Sequence, residues 1–328
     1  MLLAGDIGGT KTVLAVVSRD AGARAPIVER TFPSGRYTSL ESLVHDFLAA
    51  HPHPIDYASF GVAGPVVAGT AEITNLPWQM SEAGLQSALG LRGVRLLNDL
   101  ESIAYAVPHL SPADVHTINT GVALPGGAIA VIAPGTGLGE AFLTSDNGRY
   151  RAHASEGGHA SFAPNDEMQL DLLLYLHRRI GHVSCERVCS GLGLPNIYAF
   201  FKAHGHVEPD WLAERLAAAA DPTPVIVTAA LDAERPCGIC SATLRLFVSI
   251  LGAEAGNLAL KVLSTGGVYI GGGIPPRILP VLQQHDFMQA FVNKGRFTEL
   301  LERMPVNIIL NPKAALLGAA SYGLSAWS

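Results

Sequence analysis

The sequence predicts an α/β fold with two related halves, and two observations lead to that prediction. The first is the alternation of short apolar segments with segments of helical spacing along the N-terminal third of the chain. The second is a strand–glycine turn–strand unit that opens the chain around Thr10 and returns, at weak similarity, around Thr136. No linker rich in proline, glycine and charge separates the halves, so we expect them to share a cleft.

The individual elements follow from the pattern in chain order. Apolar runs bounded by turn residues predict strands at 2–4, 13–17, 58–63, 94–97, 128–133 and 141–143. Apolar spacing of three and four predicts a helix over Leu40–Ala50, and helical patterns dominate residues 167–266. Glycine-rich turns are predicted at 5–10 and 134–139, a glycine cluster follows the apolar run 268–270, and Pro222 and Pro224 predict a loop.

Composition and charge exclude several classes of protein. Of 328 residues, 48% are apolar and 15% are charged, which excludes a disordered chain. Only 22 residues are basic and the net charge is −6, so nucleic acid and anionic membranes are not expected partners. Four cysteines are too few for a disulfide framework, and no basic stretch followed by an apolar run opens the chain.

One segment needs a closer look for a membrane span. Residues 115–139 carry no Asp, Glu, Lys or Arg and are long enough to cross a bilayer. Prolines and glycines interrupt the segment, however, and lipid would not satisfy the backbone groups that they free. We therefore expect a soluble protein of the cytoplasm with neither nucleic acid nor membrane as a partner.

The first glycine turn is a candidate phosphate-binding loop. Its sequence from Gly5, G-D-I-G-G-T-K-T, nearly matches the P-loop, but Thr10 stands where the second glycine belongs, and a strand follows instead of a helix. We interpret it as a tight β-hairpin whose backbone amides and Thr10 hydroxyl approach phosphate oxygens. Asp6 would then lie where it can hold a hydrated Mg²⁺ ion. An ordinary glycine-rich hairpin remains the alternative.

The turn at 134–139 offers the same chemistry from the second half. Its sequence, P-G-T-G-L-G, lacks the G-x-G-x-x-G spacing of a dinucleotide-binding fingerprint. Together with the glycine cluster after the apolar run 268–270, the two turns fit a nucleotide clamped between two related halves.

Two polar groups are candidates for catalysis and for substrate binding. Asn98 and Asp99 follow an apolar strand, where α/β enzymes place catalytic carboxylates; the alternative is that Asp99 caps the next helix. Glu156 and His159 lie on a glycine-rich turn and suit hydrogen bonding to neighbouring sugar hydroxyls. The alternative for this pair is a solvated surface loop.

The cysteines form two close pairs, Cys185 with Cys189 and Cys237 with Cys240. Zinc permits both spacings, but the first pair also fits the packing of small apolar side chains on a helix, and we expect no zinc. The histidines are scattered, and we expect His204-Gly205-His206 to be a solvated loop.

Taken in order, the motifs resemble those of bacterial glucokinases, the hexokinase-type sugar kinases of the actin-like ATPase superfamily. The resemblance runs almost end to end, and its segments are G-D-I-G-G-T-K from Gly5, L-N-D-L-E-S from Leu97, A-P-G-T-G-L-G from Ala133, E-G-G-H-A-S-F-A-P from Glu156, E-R-V-C-S-G-L-G-L from Glu186, G-N-L-A-L from Gly256, G-G-V-Y-I-G-G-G-I-P-P-R from Gly266 and K-G-R-F from Lys294. Some of these are generic individually, but their order and spacing are highly specific.

The resemblance implies an enzyme that phosphorylates the 6-hydroxyl of D-glucose with ATP and Mg²⁺ at the start of glycolysis. It implies Asp99 as the catalytic base, and it implies as glucose-binding residues Asn98, Asp99, Glu156, His159 and Glu186. It places ATP on three glycine loops, which contain Gly5, Asp6, Ile7, Gly8, Gly9 and Thr10, then Gly135, Thr136 and Gly137, and finally Gly271, Gly272 and Gly273.

The resemblance also implies the architecture. The family fold is the two-domain actin-like ATPase (ribonuclease-H-like) fold, with a nucleotide and sugar cleft between the domains. Here the small α/β domain would comprise 1–109, with a C-terminal helix at 312–328 returning to it, and the large α/β domain would comprise 110–311. We further expect a homodimer.

Two features depart from related patterns. Glu140 directly follows the second phosphate turn, where an acid would repel phosphate unless it points away. The cysteine-rich zinc motif of ROK sugar kinases is absent, and the chain opens at once with its phosphate turn, leaving no room for the DNA-binding helices of ROK-type repressors. The absent zinc motif and the lack of room for DNA-binding helices both favour the glucokinase branch.

Two rival functions remain open at this point. A catalytically silent sugar sensor would be a binding module, and the presence of Asp99 and both phosphate turns argues against it. A kinase for another hexose, such as fructose, mannose or N-acetylmannosamine, is the rival enzyme. An ADP-release assay across a panel of hexoses distinguishes the three.

Overall fold

The computed structural model describes residues 1–73 and 76–327, which divide into two compact units. Unit 1 comprises Met1–Asp114, Ala141–Ala154 and Asn311–Ser328, and unit 2 comprises Val115–Glu140 and Ser155–Leu310. Unit 1 is therefore discontinuous in sequence, because a segment from the middle of the chain and the C-terminal helix complete it. Of the predicted helix at 312–328, Ser328 lies outside the described residues.

The elements of both units follow in chain order. The strands are β1 (Leu2–Ile7), β2 (Lys11–Val17), β3 (Val28–Pro33), β4 (Tyr57–Val62), β5 (Val66–Val67), β6 (Thr70–Glu72), β7 (Gln79–Ser81), β8 (Gly93–Asn98), β9 (Val115–Asn119), β10 (Ile129–Pro134), β11 (Leu138–Asp146), β12 (Arg149–Ser155), β13 (Gly267–Ile270) and β14 (Val306–Ile309). The helices are α1 (Leu40–Ala50), α2 (Glu82–Leu89), α3 (Asp99–Ala106), α4 (Glu167–Ile180), α5 (Gly193–Ala203), α6 (Asp210–Ala218), α7 (Pro222–Leu231), α8 (Gly238–Val262), α9 (Leu279–Leu282), α10 (His285–Val292), α11 (Thr298–Glu302) and α12 (Ala314–Ala326).

The main sheet of unit 1 has the strand order β3-β2-β1-β4-β8. β1 and β2 form an antiparallel hairpin, whereas β1, β4 and β8 are parallel, so their carboxyl ends meet at one edge of the sheet. β1 is buried on both faces: Leu3 and Ile7 join one apolar core, and Leu2 and Ala4 join another. This explains why its sequence is a continuous apolar run and not an alternating one.

Within unit 1, the C-terminal helix α12 packs so closely against its neighbours that some of its positions have no room for a side chain. A side chain at Gly318 would collide with the carbonyl oxygen of Ser102 on α3, and one at Gly323 would collide with Leu2. The Ser102 hydroxyl donates to the carbonyl of Ala315 at 2.7 Å. Small residues along α12 therefore let the last helix of the chain lie against one of the first.

A six-stranded sheet has the strand order β12-β11-β10-β13-β14-β9, and its strands β9, β10, β13 and β14 belong to unit 2. Its parallel core strands β10, β13 and β14 are buried, and helices rich in Leu, Ile and Phe cover them. α8 is long and apolar enough to cross a membrane by composition alone, with a mean hydropathy of 1.3 in its best window. Because 72% of that window is buried inside the protein, we assign α8 to the core.

Three element predictions need correction. β1 extends to Ile7 and β11 begins at Leu138, so the glycine turns are shorter than the predicted 5–10 and 134–139. The predicted loop at Pro222 and Pro224 is wrong, because α7 begins at Pro222 and Asp221 caps it. A proline at the first helical position lacks only an N–H that would have no partner in the helix, so it is compatible with a helix start as well as with a loop.

Candidate active site

The first glycine turn lies at the carboxyl edge of the unit 1 sheet. Ile7, Val62 and Asn98 stand in register across three parallel strands, so the turn and the residues after β8 lie at the same edge. This is the edge at which open α/β sheets bind their ligands. The structure therefore brings together, within unit 1, the predicted phosphate turn and the predicted catalytic pair Asn98 and Asp99.

Hydrogen bonds tie the first turn tightly to its neighbours. The Gly8 N–H donates to the Lys11 carbonyl at 3.0 Å, and a side chain at Gly8 would collide with that oxygen. Ser34, which directly follows β3, braces the turn, since its hydroxyl donates to the Gly8 carbonyl at 2.7 Å and its N–H to the Thr10 carbonyl at 3.0 Å. Sequence reasoning missed Ser34, which carries no motif of its own.

Asp6 lies at the end of β1, next to the turn. Its side chain is half-buried, and burial raises the pKa of the carboxyl while the nearby Lys11 charge lowers it. A carboxylate held out of water without full compensation favours the approach of a cation or of a proton.

Asn98 and Asp99 have different roles, which the sequence alone could not assign. The Asn98 side chain caps α3, accepting from the N–H groups of Leu100 at 2.9 Å and Glu101 at 3.4 Å, and it donates to the Gly64 carbonyl at 2.9 Å. The alternative in which Asp99 caps the helix is wrong, because Asp99 is the first residue of α3 itself. One Asp99 oxygen accepts from the Leu100 N–H at 2.9 Å, which orients the carboxylate at the sheet edge.

The second glycine turn lies in unit 2 and carries Gly135, Thr136 and Gly137 between β10 and β11. It is closed by a hydrogen bond from the Gly135 N–H to the Gly137 carbonyl at 2.9 Å. The segment after Cys189 braces it, because the Gly191 N–H donates to the Gly135 carbonyl at 2.8 Å. The Thr136 side chain is exposed beyond the turn.

Glu186, predicted as a sugar ligand, contacts this second turn. Its Oε2 accepts from the Leu138 N–H at 3.0 Å, and a side chain at Gly137 would collide with the same carboxylate. The glycine at this position therefore permits the close approach of Glu186. The structure brings these two predicted site residues together within unit 2.

The third glycine cluster, Gly271, Gly272 and Gly273, lies beside the second turn. The Gly271 N–H donates to the Ile132 carbonyl at 2.9 Å, and Gly272, at φ +87°, passes so close to the Pro134 carbonyl that only glycine fits. The two loops thus form one continuous wall in unit 2.

That wall opens into a cavity of about 780 Å³, within the usual range for a small-molecule site. Gly135, Thr136 and Gly273 line it together with one face of α7 and Arg277. The lining residues that sequence reasoning missed are Gly191, Asp221, Thr223, Pro224, Val227, Thr228, Leu231, Asp232, Ile274 and Arg277.

The start of α7 is fixed relative to the second turn. Asp221 accepts from the Thr223 N–H at 2.9 Å, and the Thr223 hydroxyl donates to the Gly191 carbonyl at 2.7 Å. Because Gly191 also bonds Gly135, the cavity walls form one hydrogen-bonded frame. The helix-capping pattern Asp-Pro at 221–222 was the signal that could have found this wall.

Glu156 and His159 lie together on a short helical turn of unit 2. Their side chains are 68% and 62% exposed, and Glu156 Oε2 lies 3.9 Å from His159 Nε2. The polar ends of both side chains are therefore accessible to solvent. A sugar-binding pair and a solvated loop both predict this exposure.

Glu140 points away from the second turn. It is 2% exposed, and its carboxylate lies behind Gly157 and faces Glu254 on α8. Burial, then the Glu254 charge, raise the pKa of Glu140 to about 7, against a lowering by Lys261. The acid after the phosphate turn is thus an interior group, and the conflict with bound phosphate does not arise.

All four cysteines are free and buried. The Cys185 thiol donates to Glu254 at 3.3 Å, and burial raises the pKa of Cys185, Cys189 and Cys240. Over residues 1–73 and 76–327, no group of three or more His, Cys, Asp or Glu side chains is arranged to hold a metal ion.

Comparisons with known proteins agree over nearly the whole chain. The family model described as Glucokinase matches residues 3–326. A glucokinase of Nostoc punctiforme is 42% identical over 335 aligned positions, covering 98% of both chains. The crystal structure of a glucokinase from an Antarctic psychrotroph is similar with a TM-score of 0.85 at 33% identity, covering 98% of this chain and 97% of that one.

A more distant structure shares the fold. The ROK family glucokinase of Streptomyces griseus, solved in complex with glucose and AMPPNP, has a TM-score of 0.64 at 19% identity and covers 99% of each chain.

Proposed function

The chain belongs to the glucokinase family, and from that premise we propose that its glycine turns, Asp99 and the exposed polar turn at Glu156 carry out the ATP-dependent phosphorylation of D-glucose. The family match over residues 3–326 carries the proposal. Both the resemblance stated from the motifs and the actin-like ATPase fold that it implied are confirmed. The protein is a sugar kinase, a phosphotransferase with an alcohol as acceptor.

Asp99 is the general base of the proposed mechanism. Its carboxylate takes the proton of the glucose 6-hydroxyl while that oxygen attacks the γ-phosphorus of ATP and ADP leaves. Asn98 supports this role by capping α3 in place of Asp99. The Asp99 carboxylate is then held by the Leu100 N–H, at the sheet edge that also carries the first turn.

The three glycine loops hold the nucleotide. Phosphoryl transfer is mostly positioning and charge stabilisation, and glycine loops supply backbone N–H groups that approach phosphate closely. The hydroxyls of Thr10 and Thr136 add donors at equivalent positions of the two turns. The 780 Å³ cavity between the second and third loops and α7 receives the nucleoside.

Asp6 fits the magnesium site that the reaction requires. Its carboxylate is half-buried, its charge is only partly offset by Lys11, and it is the last but one residue of the strand that leads into the first phosphate turn. Mg²⁺ usually binds through one or two carboxylates together with substrate phosphates and water, so a single carboxylate suffices here. When bound, the ion neutralises charge on the transferred phosphoryl group.

The glucose ligands are Asn98, Asp99, Glu156, His159 and Glu186. Carboxylate, amide and imidazole groups together accept from and donate to several hydroxyls, and a hydroxyl of the wrong configuration leaves one of them unpaired. Glu186 would couple sugar and nucleotide, because its carboxylate already bonds the second phosphate turn.

The test of the base is Asp99→Asn. We expect kcat to fall by about 10²–10⁴ because the amide cannot accept the proton, while glucose affinity changes only slightly. Asp46→Asn, on the exposed face of α1, removes the same charge and should leave kcat unchanged. An Asp99→Asn variant retaining more than about a tenth of the wild-type kcat would remove Asp99 from this role.

The test of the sugar ligands is a hexose panel in a coupled ADP-release assay, with identification of the product. Each lost or inverted hydroxyl should lower kcat/KM by about ten- to a hundredfold, since an unpaired buried group costs ~1–3 kcal/mol. Glu156→Ala should flatten this discrimination and leave the KM for ATP nearly unchanged. Equal wild-type activity on glucose, mannose and galactose would reject the three side chains Glu156, His159 and Glu186 as selectors.

Three further expectations of the resemblance belong to this proposal: a homodimer, a cytoplasmic location, and a cleft between domains divided near residues 109 and 311. Light scattering of the purified chain measures the first. Cell fractionation measures the second, and scattering with and without glucose measures closure of the third.

A further inference from the structure

Unit 1 contains a large cavity that the proposed reaction does not use. Its volume is about 840 Å³, comparable with the nucleotide cavity of unit 2 and within the ~300–1,000 Å³ typical of small-molecule sites. β8, α3, β12 and α12 contribute its walls. We call it the arginine pocket, after Arg95, Arg149 and Arg151, which line it.

The arginine pocket is positively charged in a protein of net charge −6. Arg149 and Arg151 stand two apart on β12, so both project from the same face of the strand. Among the described residues, neither guanidinium has a hydrogen bond or an ion pair. Arg95 has only a long ion pair, at 3.4 Å from Glu82, which is itself partly exposed.

The acid that lines the pocket does not neutralise the three arginines. Glu101 on α3 is the carboxylate in the lining, and its pKa is raised, chiefly by burial and against the charges of Arg95 and Arg151. One carboxylate with weakened ionisation faces three guanidinium groups, so the cavity keeps an excess of positive charge.

Two buried polar atoms of the lining have no partner in the described structure. They are the Nε of Arg95 and the hydroxyl of Ser321, a residue that is 7% exposed. A buried donor without a partner destabilises the free protein, and a ligand that accepts from it removes that penalty. Both residues line the same cavity.

Two tyrosine rings also line the pocket. The rings of Tyr105 and Tyr322 lie 5.0 Å apart at an angle of 57° and present apolar surface between the polar groups. A cavity that combines guanidinium groups with ring faces is suited to an organic anion, with a carbon skeleton against the rings and its charges on the arginines.

We propose that the arginine pocket binds a small organic phosphate, with Arg149 and Arg151 as its principal ligands. The guanidinium fork matches phosphate oxygens bidentately, and two unpaired forks on one strand face suit a dianion better than a single charge. The position gives the site a regulatory character. α3 begins at Asp99, and β12 ends at Ser155, directly before Glu156, so a ligand would contact both elements that lead to proposed active-site residues.

The test is calorimetric titration of the full chain at physiological ionic strength. Glucose and AMPPNP with Mg²⁺ are kept saturating, so that the proposed catalytic site is occupied. Fructose 1,6-bisphosphate is the organic-phosphate probe and citrate is the carboxylate probe. We expect saturable binding of the bisphosphate, weaker binding of citrate, and a loss of affinity as salt is raised.

Matched variants locate the binding. Arg149→Ala with Arg151→Ala should weaken bisphosphate binding by at least about tenfold, because charge-assisted bonds are lost. Arg149→Lys with Arg151→Lys keeps the charge, and its affinity for the bisphosphate should lie between those of the wild type and the double-alanine variant. Arg178→Ala with Arg303→Ala removes two exposed arginines elsewhere and should bind like the wild type.

Several outcomes would overturn the proposal. They are the absence of saturable bisphosphate binding in the millimolar range, equal affinity in the double-alanine variant and the wild type, or tighter binding of citrate than of bisphosphate. A dimer that dissociates in the double-alanine variant, with no probe binding to the wild type, would assign the pocket to a second copy of the chain instead. Because the readout is binding, these failures are distinct from failure of the kinase proposal.

Discussion

The two glycine hairpins have the same arrangement of strand, turn and strand. The buried residue that supports the turn differs, however, because it is apolar in the first hairpin and acidic in the second. When Thr10 and Thr136 are aligned, Leu14 of the first hairpin corresponds to Glu140 of the second. Leu14 is fully buried in an apolar core with Ile7 and Phe60. Glu140 is almost as buried, at 2% exposure, but it faces the carboxyl of Glu254.

This difference separates what a phosphate turn needs from what its support needs. The turn needs small residues, and both hairpins have them. The support has to fill space without an unpaired charge, and an apolar side chain or a protonated carboxyl meets that requirement. The buried carboxyl of Glu140, with its raised pKa, therefore takes the place of a leucine, but it makes the second hairpin sensitive to pH.

The strongest way to break the comparison is to exchange the two residues. Leu14→Glu places a carboxyl where every neighbour is apolar, and we expect the free energy of unfolding to fall by about 4 kcal/mol or more. Urea denaturation followed by tryptophan fluorescence measures it, since Trp78 lies in the same core. Glu140→Leu is the control and should cost far less. A loss below about 1 kcal/mol for Leu14→Glu would show that the first support tolerates an acid too.

A second way concerns Asp6, the acid next to the first turn that we propose as the magnesium ligand. If Asp6 holds Mg²⁺, Asp6→Asn should raise the Mg²⁺ concentration for half-maximal activity by about ten- to a hundredfold. Stability should not fall, because burial already disfavours the Asp6 charge. Asp20→Asn, an exposed acid nearby in sequence, is the control. An unchanged Mg²⁺ requirement would contradict the assignment.

The smallest expected effect is a pH dependence of stability that arises from the second hairpin. The folded pKa of Glu140, about 7, lies above its value in the unfolded chain, so the folded state holds a proton that the unfolded state has lost. Stability is therefore lost as pH rises through 7, and this group should cost about 1 kcal/mol between pH 6 and pH 8.

Denaturation at both pH values measures this loss, and Glu140→Gln should remove it. The groups around Glu140 that enter this balance are Glu254, Cys185 and Lys261. A wild-type and a Glu140→Gln protein with the same pH dependence would show that the titration of Glu140 does not affect stability in this range.

Much of the fold and the chemistry could be predicted from the sequence because it depends on local requirements. Glycines that must lie against a backbone or a carboxylate, such as Gly137 and Gly272, appear as clusters in the sequence. Apolar runs locate the buried strands. The sequence could not predict which of two adjacent residues caps α3. Asn98 and Asp99 are both good helix caps, and only the backbone conformation decides which of them does so.

The rest depends on contacts between distant segments. Thr223 and Arg277 line the cavity of unit 2 from a helix and a turn that carry no motif, and Ser34 braces the first turn from the segment after β3. The burial of Glu140 depends on Glu254, which lies on another element far along the chain. No local periodicity encodes such pairs, since each is set by how the sheet and helices pack.

The placement of α12 in unit 1 has a consequence for how the protein is made on the ribosome. The segment Met1–Asp114 emerges first, but its helix α3 and strand β1 lack their packing partner until Ala314–Ala326 has been synthesised. In many multidomain proteins the N-terminal domain folds first during translation. Here the whole of unit 2 is synthesised before unit 1 can close, so the first-made segment waits longest with its apolar surface uncovered. The nascent chain is therefore a natural client for chaperones that bind exposed apolar segments early in translation.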